Sequence, residues 1–295
     1  MKPLVVLTAT YNHPEELNGL YQTLINQNDL AFTWIVVNDG SREETKALID
    51  QFQNDEVLDI VAIHQENGGK SKAINAGIDR IEEETEFFVI IDDDEKLYND
   101  AVTTIKKYVD TYRDTECGVI HFNRKDEKGN VIASPYFDND YFMSYQEHKN
   151  KGYHADGYLG YFKEKVGDLR FNIHRGEKYV APSTLFMKVT QDSKLLWASA
   201  VLGETEYLAG GITKQGRKLR IRNPLGMIEY CELMQENGAD YKTRAVYSTY
   251  GYAYAEISGQ KYTGTKLSGS FKLFGKALAL FWKRKYRAYL NEHNK

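Results

Sequence analysis

The chain has 295 residues, 42% hydrophobic and 13% aromatic, enough for one large domain, or a core domain with an extension, around a sizeable buried core. Its formal net charge of −4 argues against a general nucleic-acid binder. No window approaches 18 consecutive apolar residues, which excludes a transmembrane helix from the expectations.

The first 120 residues alternate strand and helix signals. LVVLTA (4–9) reads as a buried strand, and PEELNGLYQTLINQ (14–27) carries apolar residues at helical spacing. FTWIVVND (32–39) predicts a second strand, and a helix follows over 41–53 with Ser41 as its N-cap. LDIVAIHQ (58–65) and KSKAINAGIDRI (70–81) predict the third strand and helix. FFVIID (87–92) and NDAVTTIKKYVDTY (99–112) predict the fourth pair. This order implies an α/β fold with a mainly parallel sheet flanked by helices. Such sheets bind ligands at strand C-terminal ends, where Tyr11 and Asn12, Asn38 and Asp39, and Asp92 to Asp94 fall.

From about 113 the rhythm breaks. CGVIHFNR (117–124), a turn at 127–130 and VIASPY (131–136) predict a hairpin, while 137–170 shows no firm pattern. LLWASAVLGETEYL (195–208) predicts one or two late strands. From about 217 the pattern is helical, through 223–237 and 239–257. It ends in a basic, aromatic amphipathic helix over 270–290.

The acid run Asp92-Asp93-Asp94-Glu95 closes an apolar strand. Carboxylates so placed repel one another unless solvated, protonated or neutralised by a cation. Oxygen ligands at this spacing suit Mg²⁺ or Mn²⁺, which in turn grip phosphate oxygens. Glu95, the last of the four, is expected to face solvent. Asp39 lies before a glycine turn and a helix, where a turn or N-cap role competes with ligand binding. The Gly69-Lys70-Ser71 run invites a P-loop reading, but the glycine required five residues earlier is His64. No GxGxxG follows the first strand. What remains is a Gly-rich turn with cations at a helix N-terminus, able to face a diphosphate or simply to connect strand and helix. The seven histidines show no metal-ligand spacing, and Cys117 and Cys231 read as free thiols of a reducing compartment.

TATYNHPEEL (8–17), VNDGS (37–41), NGGKSKAINAGI (67–78) and IIDDDEKL (90–97) resemble, in order and spacing, the successive motifs of family 2 glycosyltransferases with the GT-A fold. RGEKYVAPSTLF (175–186) and TEYLAGGIT (205–213) resemble segments of bacterial members that build surface polysaccharides. The resemblance implies a GT-A catalytic domain over 1–215, with a nucleotide-binding half (1–100) and an acceptor half (101–215), and a helical C-terminal extension over 216–295. It implies a nucleotide-sugar donor, UDP in the first instance, held by Thr10, Tyr11, Asp39, Asn67, Lys70, Lys72, Asp92 and Asp93. Asp94, with Asp92, would hold a divalent cation, Mn²⁺ or Mg²⁺.

The resemblance further implies inversion, with a carboxylate base taking the acceptor's proton. Glu177 is the candidate, with Glu204 and Glu206 in reserve. Lys178 stands where relatives carry a second acid, and Ala181-Pro182 where they often carry Pro-Glu. A surface ion pair of Glu177 with Arg175 and Lys178 is the competing reading. The expected acceptor is a glycan or lipid-linked saccharide. A nucleotidyltransferase making a nucleotide sugar, or a non-catalytic nucleotide-sugar-binding module, are the alternatives. The N-terminus lacks a signal-peptide pattern, so the expected location is the cytoplasm. Peripheral contact with the inner face of the membrane through 270–290 is left open, beside packing on the domain or a partner subunit.

Overall fold

The computed structural model describes residues 1–205, 212–264, 267 and 269–287. Its strands are β1 (Leu4–Thr10), β2 (Thr33–Asn38), β3 (Asp59–His64), β4 (Phe87–Ile90), β5 (Glu95–Leu97), β6 (Cys117–Lys125), β7 (Ala133–Ser134), β8 (Tyr141–Phe142), β9 (His154–Ala155), β10 (Gly157–Phe162) and β11 (Lys194–Thr205). Its helices are α1 (Pro14–Ile25), α2 (Glu43–Asn54), α3 (Lys70–Asp79), α4 (Ala101–Tyr112), α5 (Tyr145–Asn150), α6 (Lys163–Val166), α7 (Ser183–Val189), α8 (Ile212–Arg222), α9 (Pro224–Leu233), α10 (Tyr241–Ser258) and α11 (Ser270–Lys285).

Nine strands among the described residues form one sheet in the order β3-β2-β1-β4-β10-β6-β11-β5, with β8 paired to β11. β3, β2, β1 and β4 are parallel, β10 runs antiparallel to both β4 and β6, and β11 is parallel to β6. β1 and β2 are buried along their length, while β3, at the edge, is exposed at both ends. Helix α1 buries Leu17, Leu20, Tyr21 and Leu24, the i, i+3, i+4, i+7 set of an amphipathic helix. Tyr21 stacks on Phe52 of α2 at 3.9 Å between ring centres, and Trp34 of β2 lies within 6.0 Å of Tyr21.

The first four strand–helix pairs match the sequence expectation. Ser41 does not cap α2: its hydroxyl accepts from the Asn12 N–H, and Arg42 stands at the N-cap without a side-chain bond. The expected hairpin opens with one bridge, Lys125 to Val131, but β7 then pairs with β9 instead. The unpatterned stretch 137–170 contains β10, which joins β4 to β6 inside the sheet. Its glycines hide it from a propensity reading, yet the packing requires them. A Cβ at Gly160 would collide with the Phe87 ring, and one at Gly157 with the Phe122 carbonyl.

Residues Met1–Met143, Tyr153–Arg170 and the described part of 189–206 form one compact unit containing the sheet. Ser144–Gly152, Phe171–Lys188 and the described part of 207–295 form a second. Within this second unit, segments from before residue 189 pack among the later helices. Gln146 Nε2 donates to the Leu233 carbonyl at 2.7 Å, and Lys188 pairs with Glu229 at 2.5 Å. Ile221, Met227, Cys231, Ala253, Tyr254, Ala279 and Trp282 form the core of this second unit. Both cysteines are buried and free. Among the described residues no helix is long and apolar enough to cross a membrane.

Candidate active site

The parallel strands β3, β2, β1 and β4 end side by side, and their C-terminal loops carry most of the residues singled out from sequence. Asp39, just past β2, is buried and saturated with donors. Its Oδ1 accepts from Gln65 Nε2 at 2.6 Å and the Gly68 N–H at 2.9 Å. Its Oδ2 accepts from the Gly69 N–H at 2.8 Å and Asn67 Nδ2 at 3.2 Å. Four bonds fill the capacity of a carboxylate. Asp39 thus shapes the Gly-rich turn, and the turn's N–H groups point at Asp39. The chain comes close here: a Cβ on Gly40 would lie 2.6 Å from the Asn67 nitrogen, and Gly40 has φ +76°, so only glycine fits without strain.

Tyr11, beyond β1, is 47% exposed. The hydroxyl of Thr10, buried in the same strand end, has no hydrogen-bond partner among the described residues. Asn12 takes φ +58°, a conformation asparagine tolerates, and its Oδ1 accepts from the Arg42 N–H at 2.9 Å. This ties the β1 and β2 loops together.

The acid loop after β4 is engaged residue by residue. Asp92 pairs with Lys70, in the first turn of α3, at 2.5 Å. Burial opposes both charges, but their mutual attraction outweighs it, raising the Lys70 pKa and lowering that of Asp92. Asp93 is buried and lies 3.3 Å from His13 Nδ1. The bond to Asp93 raises the His13 pKa. Burial and the neighbouring Asp92 and Asp93 carboxylates raise the pKa of Asp94. Lys72 is exposed, with its stem against Gly68.

Glu95 does not face solvent as expected. It is 2% exposed, opens β5, and pairs with Arg124 at the end of β6, while Tyr158 of β10 donates to its Oε2 at 3.1 Å. Arg124 also reaches Asp156 at 2.5 Å. Burial raises the Glu95 pKa, against the pull of Arg124. The sequence expectation failed because β5 pairs with β11 and carries Glu95 inward, with Lys96 outward. Gln65, His13, Arg124 and Tyr158 were not singled out from sequence. Arg124 left a weak signal, the first of two consecutive cations, Arg124 and Lys125, at the end of an apolar strand. Tyr158 left none, because β10 itself was not recognised.

Asp92, Asp94 and Glu95 each place one carboxylate oxygen within 4.8 Å of the others. An all-oxygen donor set in the short turn from β4 into β5 fits a hard divalent cation. Asp92 and Asp94 are half-buried and Glu95 buried, and their mutual repulsion, with Asp94 raised in pKa, is what such an ion relieves.

Glu177 lies in the second unit. Its Oε1 accepts from the Leu225 N–H at 2.7 Å and its Oε2 from the Gly226 N–H at 2.9 Å, both in the first turn of α9. Burial raises its pKa, and the two N–H groups pull the other way. Asn223 holds the same segment by accepting from the Lys178 and Tyr179 N–H groups at 2.9 and 3.2 Å. Glu204 is an exposed residue of β11. Glu206 lies outside the described residues, as does most of the 205–213 segment.

Comparison with known proteins now assigns the class. The model of glycosyl transferase family 2 matches residues 5–170, more than half of the sequence, and the chain belongs to that family. The teichoic acid poly(glycerol phosphate) polymerase of Staphylococcus epidermidis is 30% identical over 117 residues. That match covers 39% of this chain and spans only 16% of the relative's length. The structure of S. aureus TarS 1–349 in complex with UDP-GlcNAc is similar with a TM-score of 0.66 at 16% identity, covering 96% of this chain and 81% of that one. A mannosyltransferase from Pyrobaculum calidifontis, in complex with GDP-Man and Mn²⁺, gives 0.58 at 13% identity, covering 97% and 82%. At these identities the likeness is one of fold, which is GT-A-like: a mostly parallel sheet flanked by helices, with C-terminal helices.

Proposed function

We propose that this glycosyltransferase inverts the donor's anomeric carbon, moving a sugar from UDP to a glycan or lipid-linked saccharide of a bacterial surface polysaccharide. One observation carries the reading. The Asp39-organised turn, past β2 and β3, and the Asp92–Asp94–Glu95 oxygen group, past β4, lie at the C-terminal ends of parallel strands with β1 between them, and the Lys70–Asp92 ion pair links the two. The first suits a nucleotide, the second the cation of its diphosphate. The UDP-GlcNAc and GDP-Man complexes of proteins sharing the fold support a nucleotide-sugar donor. The teichoic acid polymerase supports a cell-surface product.

In this reading the exposed ring of Tyr11 stacks on the base, and Asp39 with Asn67 meets the base edge. Accepting the ring N–H of uracil requires Asp39 to share or release one of its four present donors, and the two side-chain amides, Gln65 and Asn67, can turn away where the two backbone N–H groups cannot. Thr10 and Asp93 line the donor site. Lys70 and Lys72 supply positive charge at the start of α3 for the diphosphate. Asp94 and Asp92 hold Mn²⁺ or Mg²⁺. When bound, the cation offsets carboxylate repulsion and the charge that develops on the departing nucleoside diphosphate. Glu177 accepts the acceptor hydroxyl's proton, its carboxylate oriented by the two α9 N–H groups and its pKa raised toward a useful base. The 1–215 segment is proposed as the catalytic domain and 216–295 as its extension. The two buried free thiols support a reducing, cytoplasmic setting.

Isothermal titration of UDP with Mn²⁺ tests the reading. Wild type should bind, and Asp94→Ala should lose the Mn²⁺-dependent part. Absence of wild-type binding, or unchanged binding by the variant, rejects the site assignment.

A further inference from the structure

Helix α11 carries two apolar faces. One holds Gly275, Ala279 and Trp282, all buried. At Gly275 a Cβ would run into Tyr252 of α10, and Trp282 packs 5.7 Å from Tyr250 and 5.2 Å from Tyr254. This face seats the helix in the second unit. The other face holds Leu273, Phe274, Leu280 and Phe281, exposed to 71%, 64%, 66% and 56%. At about 100° per residue these four share an arc of roughly 120° with Ala277, opposite the buried face. One exposed leucine is ordinary, but a continuous stripe of four large apolar side chains marks an interaction surface.

The charges around the stripe identify its partner. Lys272, Lys276 and Lys283 follow one flank, Lys285 the other, and Arg284 ends the stripe. Residues 270–287 contain six Lys and Arg and no Asp or Glu. Lys283 is anchored through Nζ to the Glu256 carbonyl at 2.8 Å, and Lys285 lies 5.8 Å from the centre of the Phe281 ring. Two copies of this face would bring twelve like charges together, which opposes self-association through it. The helix is also too short and too basic to span a bilayer. We infer that α11 docks in the headgroup region of an anionic lipid bilayer. Leu273, Phe274, Leu280 and Phe281 enter the acyl boundary while the lysines stay at the level of the lipid phosphates. The inference rests on α11 alone and is independent of the donor assignment.

Co-pelleting of the 295-residue chain with lipid vesicles tests it. The chain should pellet with vesicles of equal parts phosphatidylglycerol and phosphatidylcholine, not with phosphatidylcholine alone, and less as salt rises. Phe274→Ser/Phe281→Ser should abolish pelleting. Lys272→Gln/Lys276→Gln should weaken it about fivefold per charge removed. All four side chains are exposed, so both double variants should keep the wild-type melting temperature. Equal pelleting on neutral and anionic vesicles, or no effect of either variant, overturns the inference. So does sedimentation equilibrium showing a wild-type dimer and a monomeric Phe274→Ser/Phe281→Ser, which would make a second copy the occupant.

Discussion

Arg124, near the end of β6, forms a buried ion pair with Glu95, the residue that follows the three aspartates of the candidate site. Asp156 and Tyr158 complete the cluster. The pair fixes one end of the acid loop, and β4 fixes the other. Removing the guanidinium leaves Glu95 buried without its cation. Arg124→Ala should therefore destabilise the protein by about 3–5 kcal/mol, as broken buried pairs do. The stability of wild type and variant in urea measures this. A loss below about 1 kcal/mol would reduce the pair to the worth of a surface contact.

Asp39 and Tyr11 should separate in their effects, although both are proposed to meet the base. Asp39 holds four donors of the Gly-rich turn, and its amide counterpart would turn an N–H₂ toward one pair of them. Asp39→Asn should lose UDP binding and also about 1–3 kcal/mol of stability, because buried donors go unpaired. Tyr11→Ala removes an exposed ring and should weaken UDP binding at an unchanged melting temperature. Calorimetric melting with UDP titration on both variants decides. A melting point unmoved in Asp39→Asn would show that the turn does not depend on that carboxylate.

The first half of the fold was legible because β1, β2 and β4 are buried, apolar and bounded by turn residues, and because α1 keeps a clean 3–4 spacing. The later strands were not. β10 depends on Gly157 and Gly160 fitting against Phe122 and Phe87, and no local propensity encodes a clearance between strands distant in sequence. The same holds within the site. Asp39 and Asp92 could be placed at strand ends from pattern alone. Their partners Gln65 and Lys70, and the inward turn of Glu95, follow from pairing across the sheet. A small-to-large change at Gly160 tests the clearance: Gly160→Ala should cost about 1–3 kcal/mol, read in urea.

Asp140 predicts an acid-dependent contribution to stability. Its Oδ1 accepts from Tyr108 at 2.8 Å and from the Ser199 N–H and hydroxyl at 2.8 and 2.9 Å, and its Oδ2 from Tyr112 at 3.0 Å. Burial works against the charge, but these bonds outweigh it and hold its pKa below the usual value. A depressed carboxyl contributes fully above its unfolded pKa of about 3.9 and loses that contribution as pH falls through the lower folded value. Wild type should thus exceed Asp140→Asn by about 1–2 kcal/mol at neutral pH, discounted for partial exposure. The gap should close below about pH 4. A gap independent of pH would mean that the amide's geometry, not the lost charge, causes the difference.

Glu177 presents the sharpest choice, because its carboxylate has two possible duties. As a helix anchor it satisfies the Leu225 and Gly226 N–H groups at the start of α9. As a base it must still accept a proton, and the lone pairs left beyond those two bonds allow it. The duties respond differently to substitution. Glu177→Gln keeps an oxygen for one N–H but cannot take a proton. If Glu177 is the base, turnover should fall about 10²–10⁴-fold while Mn²⁺-dependent UDP binding is retained and stability drops by no more than about 1–2 kcal/mol. Glu177→Asp should recover part of the activity if its shorter carboxylate still reaches the acceptor. Donor hydrolysis and transfer, measured beside the melting curve, separate the cases. Full turnover in Glu177→Gln with a lowered melting temperature would leave Glu177 as the anchor of α9 and pass the role of base to another carboxylate, with Glu204 first in line.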